Sequence, residues 1–216
     1  MDLPKFLDPL HSRTLYLQRA DGFSDRFEGA LTPAIRKAMD QAKNEGMTKQ
    51  SANYYYRRSR KGNFVSCWSI GAKDNMALWQ LYGGLKSCVA ITTTVEKLLK
   101  VAFTWNETTL IHRVKYIDHV KNPDMVVGHY HDMLRYKHQS YRYEKELRVI
   151  VPRQEKGWEK NPNFLRLPLK NLNDLVRSVV VAPEAETWFF DAISDLSIKY
   201  ELKAPIRRSK LAFMKI

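Results

Sequence analysis

The sequence predicts one compact α+β domain over residues 1–216, with a split, mostly antiparallel sheet and flanking helices. Three observations carry this. Short alternating strands interleave with helical patterns along the whole chain. No Gly/Ser-rich linker, internal repeat or low-complexity stretch divides it. At 216 residues, 44% hydrophobic and 27% charged, the chain has the balance of a globular domain.

LPKFLDPLH reads as a short amphipathic helix that Pro9 would end or kink. TLYLQRA alternates like a strand, and FSDRFEGA reads as a turn and helix entry. TPAIRKAMDQAKNEG is a helix with Thr32 as N-cap, Pro33 in the first turn and Gly46 as stop. NFVSCWSIG is a strand. DNMALWQLYG is a helix capped by Asp74 or Asn75 and ended by Gly83-Gly84, and its apolar residues cover enough of its circumference for a buried element. SCVAITTT is a strand, TVEKLLKVAF a helix and LIHRVKYI a strand. Residues 124–140 read as a helix rich in His, Tyr, Arg and Lys. ELRVIVP, FLRLPL and VRSVVVAP are strands, AETWFFDAISDLSIKYE is a long helix, and APIRRSKLAF closes the chain as a strand or arm.

Lys plus Arg number 36 against 23 Asp plus Glu, a formal net charge of +13. That excess attracts polyanions: nucleic acid first, then an acidic protein, then an anionic membrane surface. Its densest stretch is YYYRRSRKG, where Arg57, Arg58, Arg60 and Lys61 follow three tyrosines. Such residues can neutralise phosphates and stack on bases, or they can simply solvate a helix end. Cys67 and Cys88 form no CxxC pair and sit in apolar segments, so both are expected as buried free thiols. No run approaches eighteen apolar residues and no signal peptide opens the chain, so a cytoplasmic protein without a membrane span is expected.

P-loop, GxGxxG, HExxH and GxSxG motifs are absent. The two histidines of HYH, at 129 and 131, diverge if they lie on a helix, so no metal is expected. Three constellations remain. In FSDRFEG, Asp25 and Glu28 have capping-box spacing. In FVSCWS and LWQLYGG, the hydroxyls of Ser66 and Ser69 precede Trp79 and Tyr82, which are core aromatics or the walls of a pocket. In YRYEKELRVI, an extended chain points Glu144, Glu146 and Arg148 to one side. Like charges on one face shift a pKa unless a cation intervenes, and Arg142 and Arg148 could make an ion-pair ladder.

Taken in order, FSDRFEG, CWS, WQLYG, YEKELRVIVP and VVVAPEAETW resemble a large, poorly characterised bacterial family of unknown function, over nearly the whole chain. That pattern is in turn similar to the ADP-ribosyltransferase superfamily. The resemblance implies an ADP-ribosyltransferase-like fold and NAD as co-substrate, with no metal. It implies Glu146 as the catalytic carboxylate and Glu144 orienting the acceptor. Ser66 or Ser69 would contact the nicotinamide ribose, and Trp79 or Tyr82 would line the nicotinamide pocket. The expected activity is transfer of ADP-ribose to a macromolecule, RNA or DNA included, by a toxin or antiphage effector held in check by an antitoxin or other regulatory partner. Two other classes fit the residues: a non-catalytic nucleic-acid-binding protein using Arg57, Arg58, Arg60 and Lys61, and a metal-dependent nuclease using Asp25, Glu28, Glu144 and Glu146.

Overall fold

The computed structural model describes residues 1–25, 27–71, 74–121, 123–154 and 157–213. In chain order its elements are α1 (Leu3–Ser12), β1 (Thr14–Arg19), α2 (Pro33–Asn44), α3 (Ala52–Lys61), β2 (Asn63–Ser69), α4 (Met76–Tyr82), β3 (Val89–Thr92), α5 (Val95–Ala102), β4 (Leu110–Arg113), β5 (Lys115–Ile117), β6 (Tyr136–His138), β7 (Glu146–Pro152), β8 (Phe164–Pro168), α6 (Leu172–Leu175), β9 (Ser178–Val181), α7 (Thr187–Lys199) and β10 (Ile206–Arg208). Helices and mainly antiparallel strands make this an α+β protein. Among the described residues no helix is long and apolar enough to cross a membrane.

The chain forms two compact units: Met1–Tyr16, Gly71–Asn106 and Arg166–Ile216 in one, Leu17–Ile70 and Glu107–Leu165 in the other. The chain passes from one to the other four times, which is why no single linker appears in the sequence.

In the first unit β9 pairs in parallel with β10 and antiparallel with β3. Asp2 caps α1 by accepting from the Lys5 amide, and the helix runs through Pro9 to an αL residue, Arg13, at φ 53°. Phe6 and Leu10, one turn apart, are buried. Thr94 caps α5, which buries Leu98 and Val101. α4 departs from the expected buried helix: only Trp79 is buried, while Met76, Leu81 and Tyr82 are exposed. In α7 the buried side is Phe189, Ile193 and Ser197, and Trp188 and Ile198 face out.

The second unit is organised by β7, the strand between β4 and β2, both antiparallel to it. The five-stranded sheet has the order β4-β7-β2-β1-β8. The register places Ser69 opposite Glu146, Cys67 opposite Arg148 and Val65 opposite Ile150, so these pairs share one face. Ala20, Val65, Leu134 and Ile150 form a small core there. A second core gathers Leu31, Tyr55, Met125, Met133 and Tyr136.

That second core explains the largest departure from the sequence reading. The expected helix over 124–140 is instead a loop, a short 3-10 turn at Asp132–Arg135 and the strand β6, parallel to β5. Met125, Met133 and Tyr136 would also share one face of a helix, but they pack inward from a loop, a turn and a strand, so tertiary burial overrides local propensity. Residues 139–144 likewise form a 3-10 turn, and Lys145 turns the chain at φ 47° before β7 begins at Glu146. Cys67, expected to be buried, is exposed near the end of β2; Cys88 is buried, and both thiols are free.

FSDRFEG holds turns rather than a helix entry, with Arg26 outside the described residues. Gly29 sits at φ 67°, and a Cβ there would lie 3.3 Å from Leu134 Cδ2. Gly29→Ala is therefore expected to destabilise the protein by about 1–2 kcal/mol through αL strain. Thermal unfolding checks this; an unchanged Tm would contradict it.

Candidate active site: an alternating chain of buried charges

Glu146 and Arg148 project from the same face of β7, because strand side chains alternate. Glu144 reaches them from the preceding turn, redirected by Lys145. Lys137 comes from β6, and Glu28 from the turn that Gly29 closes. All are buried: Arg148 is 1% exposed, Glu28 2%, Glu146 5%, Glu144 6% and Lys137 7%.

They form a linear chain of alternating sign, Glu144–Lys137–Glu146–Arg148–Glu28. Lys137 Nζ donates to Glu144 Oε2 and Glu146 Oε1. Arg148 Nε donates to Glu146 Oε2 at 2.7 Å. The other end of the guanidinium grips Glu28 in a fork, Nη1 to Oε1 and Nη2 to Oε2 (3.0 Å), and Nη1 also donates to the Leu134 carbonyl at 2.8 Å. The Tyr141 ring lies 4.6 Å from Lys137 Nζ, a cation–π contact. The phenol oxygen of Tyr116 accepts from the Glu146 amide at 2.8 Å, and Ser69 Oγ donates to the Glu144 carbonyl at 2.7 Å.

Three carboxylates against two cations would leave a net buried negative charge, which is costly. One carboxyl therefore holds a proton. Glu146 takes bonds from both cations, and Glu28 takes a bidentate arginine; Glu144, at the end of the chain, has one lysine. Burial first, then its hydrogen bond to Glu146, pushes Glu144 up to about 7. Burial works against the Glu146 charge too, but the Glu144 hydrogen bond and the Arg148 guanidinium outweigh it and hold Glu146 well below the usual carboxylate range. Lys137 and Arg148 stay charged despite burial, because Glu146 and Glu28 respectively face them. The two glutamates thus titrate as a coupled pair, with Glu144 pushed up and Glu146 held down.

This geometry sorts the residues singled out from the sequence. Glu144 and Glu146 converge, although only Glu146 is on the strand. Ser69, exposed, lies beside them; Ser66, half-buried, is opposite Val149 and so on the other face of the sheet. Trp79 and Tyr82 belong to the first unit, on α4, the former 6% and the latter 54% exposed. Asp25 caps the Phe27 amide through Oδ1, 2.9 Å, but Glu28 is no capping residue, because Arg148 takes its carboxylate. Among the described residues Glu28, Glu144 and Glu146 do not make a cluster tight enough for a shared metal ion; Lys137 and Arg148 lie between them.

The basic stretch divides as well. Arg58 donates to Tyr54 Oη (3.3 Å), Tyr130 Oη (3.2 Å) and the Gln154 carbonyl, with its guanidinium 4.3 Å from the Tyr130 ring centre. Arg60 donates to Tyr56 Oη at 2.6 Å and to the carbonyls of Ala20, Asp21 and Phe23. Both tie α3 to neighbouring loops. Arg57 is exposed and Lys61 half-buried.

Sequence reasoning missed Lys137 altogether, since it fell inside an expected helix. It saw Arg148 only as part of a surface ladder. The usable signal was the position of Arg148 within the apolar run LRVIV, where a charge must find a buried partner. Comparison with family models, curated proteins and solved structures finds no match to this chain.

Proposed function

We propose that the chain is an acid–base enzyme of the ADP-ribosyltransferase kind, which moves ADP-ribose from NAD to a macromolecule. One observation carries the reading: two buried carboxyls meet at the Lys137 ammonium, and only Glu146 has the Arg148 guanidinium as well, which favours the ionised form of Glu146 over that of Glu144. Glycosyl transfer calls for such a pair. The bond between ribose C1′ and nicotinamide nitrogen breaks with its electrons going to nicotinamide. The developing positive charge on the ribose is stabilised by the fixed Glu146 carboxylate. An acceptor hydroxyl or amine bonds to C1′ and gives its proton to the fraction of Glu144 that is ionised near pH 7. Ser69 is exposed and in register with Glu146, and substrate would approach from its side.

The net charge of +13 favours a nucleic-acid acceptor, with Arg57 as an exposed phosphate contact. The use of Arg58 and Arg60 as internal ties weighs against binding as the whole function. The resemblance of the motif set to ADP-ribosyltransferases supports NAD as donor and a toxin or antiphage role under a regulatory partner.

Purified protein incubated with labelled NAD and, separately, RNA, DNA or protein is expected to transfer label. Glu146→Gln and Glu144→Gln, each checked for folding by circular dichroism, should each lower the rate by roughly 100-fold or more. No transfer to any acceptor, or equal rates in the folded glutamine variants, would overturn the proposal.

A further inference from the structure

We infer that the loop ahead of β6 holds a zinc-type cation through His129, His131 and Asp132. HYH read as a helix sends its two imidazoles apart. The segment is instead a turn, and it brings one ligand atom from each of the three residues within 4.8 Å of the others. His129 Nδ1 lies 3.8 Å from Asp132 Oδ2, and His131 Nε2 lies 3.8 Å from Asp132 Oδ1. Two imidazoles and a carboxylate are the donor set that zinc and its neighbours in the transition series prefer, and calcium or magnesium would call for more oxygens.

The anchor is already built. Asp132 is buried, and its Oδ2 accepts from the amides of Gly128 (2.9 Å) and His129 (2.7 Å), which fixes the carboxylate plane. Among the described residues its Oδ1 receives a hydrogen bond from Arg135 Nη1 alone, at the 3.5 Å limit, so a lone pair is left to face a cation. Orienting bonds of this kind support metal-binding carboxylates. Tetrahedral zinc, with bonds of about 2.0–2.2 Å, needs its ligand atoms roughly 3.4 Å apart; His131 lies 3.8 Å from Oδ1, whereas the 3.8 Å approach of His129 is to Oδ2, so His129 has the further to move to meet the same ion. The two imidazoles stack at 5.2 Å and 9°, and lone pairs in parallel planes do not meet, so one ring must turn. His129, with its side chain 78% exposed, is free to do so. Three protein ligands leave a fourth position for water.

The cation would have a structural consequence. Residues 128–138 supply both Lys137 and the Leu134 carbonyl to the charge chain. Cross-linking the turn fixes the segment that delivers them. The site stands apart from the glycosyl-transfer proposal and is read without activity.

The test is calorimetric titration of the chelator-treated, full-length protein with zinc chloride, beside thermal unfolding. One ion per chain is expected, with a zinc-dependent rise in Tm. His129→Ala, at an exposed position that leaves the fold intact, and His131→Ala should each weaken binding by more than the roughly tenfold loss seen for outer-shell partners, and abolish the Tm rise. His11→Ala, in the other unit, should bind as wild type. Absence of one-to-one uptake by the wild type, or wild-type affinity in His129→Ala, would overturn the inference.

Discussion

Arg148→Met is expected to destabilise the protein by about 3–5 kcal/mol, the range for removing one partner from a buried ion pair. Methionine matches much of the side chain's length, so packing is largely kept. What is lost is charge: Glu146 loses one of its two cations and Glu28 loses the guanidinium fork that holds both its oxygens. The Leu134 carbonyl loses its donor as well. For a chain of this size the loss corresponds to a fall in Tm of roughly 10 °C. Arg148→Lys should recover little, because one ammonium cannot reproduce four hydrogen bonds from three differently placed nitrogens. Adding Glu28→Gln to Arg148→Met should restore part of the stability, because one orphaned carboxylate becomes neutral. If Arg148→Met unfolds at the wild-type temperature, the chain of charges does not hold this unit together.

Glu144→Gln is expected to remove a pH dependence. In the unfolded chain Glu144 loses its proton near its ordinary value of 4.5; in the folded protein it keeps it to about 7. Below 4.5 both states are protonated. Between 4.5 and 7 the folded state binds the extra proton, so stability falls as pH rises; above 7 the loss is complete. The size is about 3 kcal/mol across that window. Glu146 acts in the opposite sense at lower pH: the stability it gives is present above its ordinary value and is lost as pH falls toward its depressed folded value. Unfolding in urea at a series of pH values separates the two. The wild type should lose stability relative to Glu144→Gln between pH 4.5 and 7, and parallel curves would show that Glu144 is not the proton holder.

Much of the fold was legible from sequence because its elements carry local signals. Thr32 and Asn75 cap the helices that their side chains announce, and the runs FVSCWS and ELRVIVP are strands because apolar, β-favouring residues fill them. The segment from 124 to 144 was not legible. Its structure is set by Met125, Met133 and Tyr136 finding Leu31 and Tyr55, a contact across the sequence that no local pattern encodes. The same holds for the site. Glu144 and Glu146 stood out as a close pair, but their chemistry is decided by Lys137 and Arg148. One of these arrives from a misread segment, and the other is tied to Glu28, 120 residues away. Spacing gave the carboxyls; only the folded chain shows which cations hold each of them.

The central claim is that Glu144 keeps its proton up to about pH 7 while Glu146 is ionised. Carbon-13 NMR of glutamate side-chain carboxyls, followed against pH in the folded protein, reads this directly. One resonance should titrate near pH 7 and vanish in Glu144→Gln. A spectrum in which every glutamate carboxyl titrates below about pH 5, the ordinary range for such groups, would contradict the account.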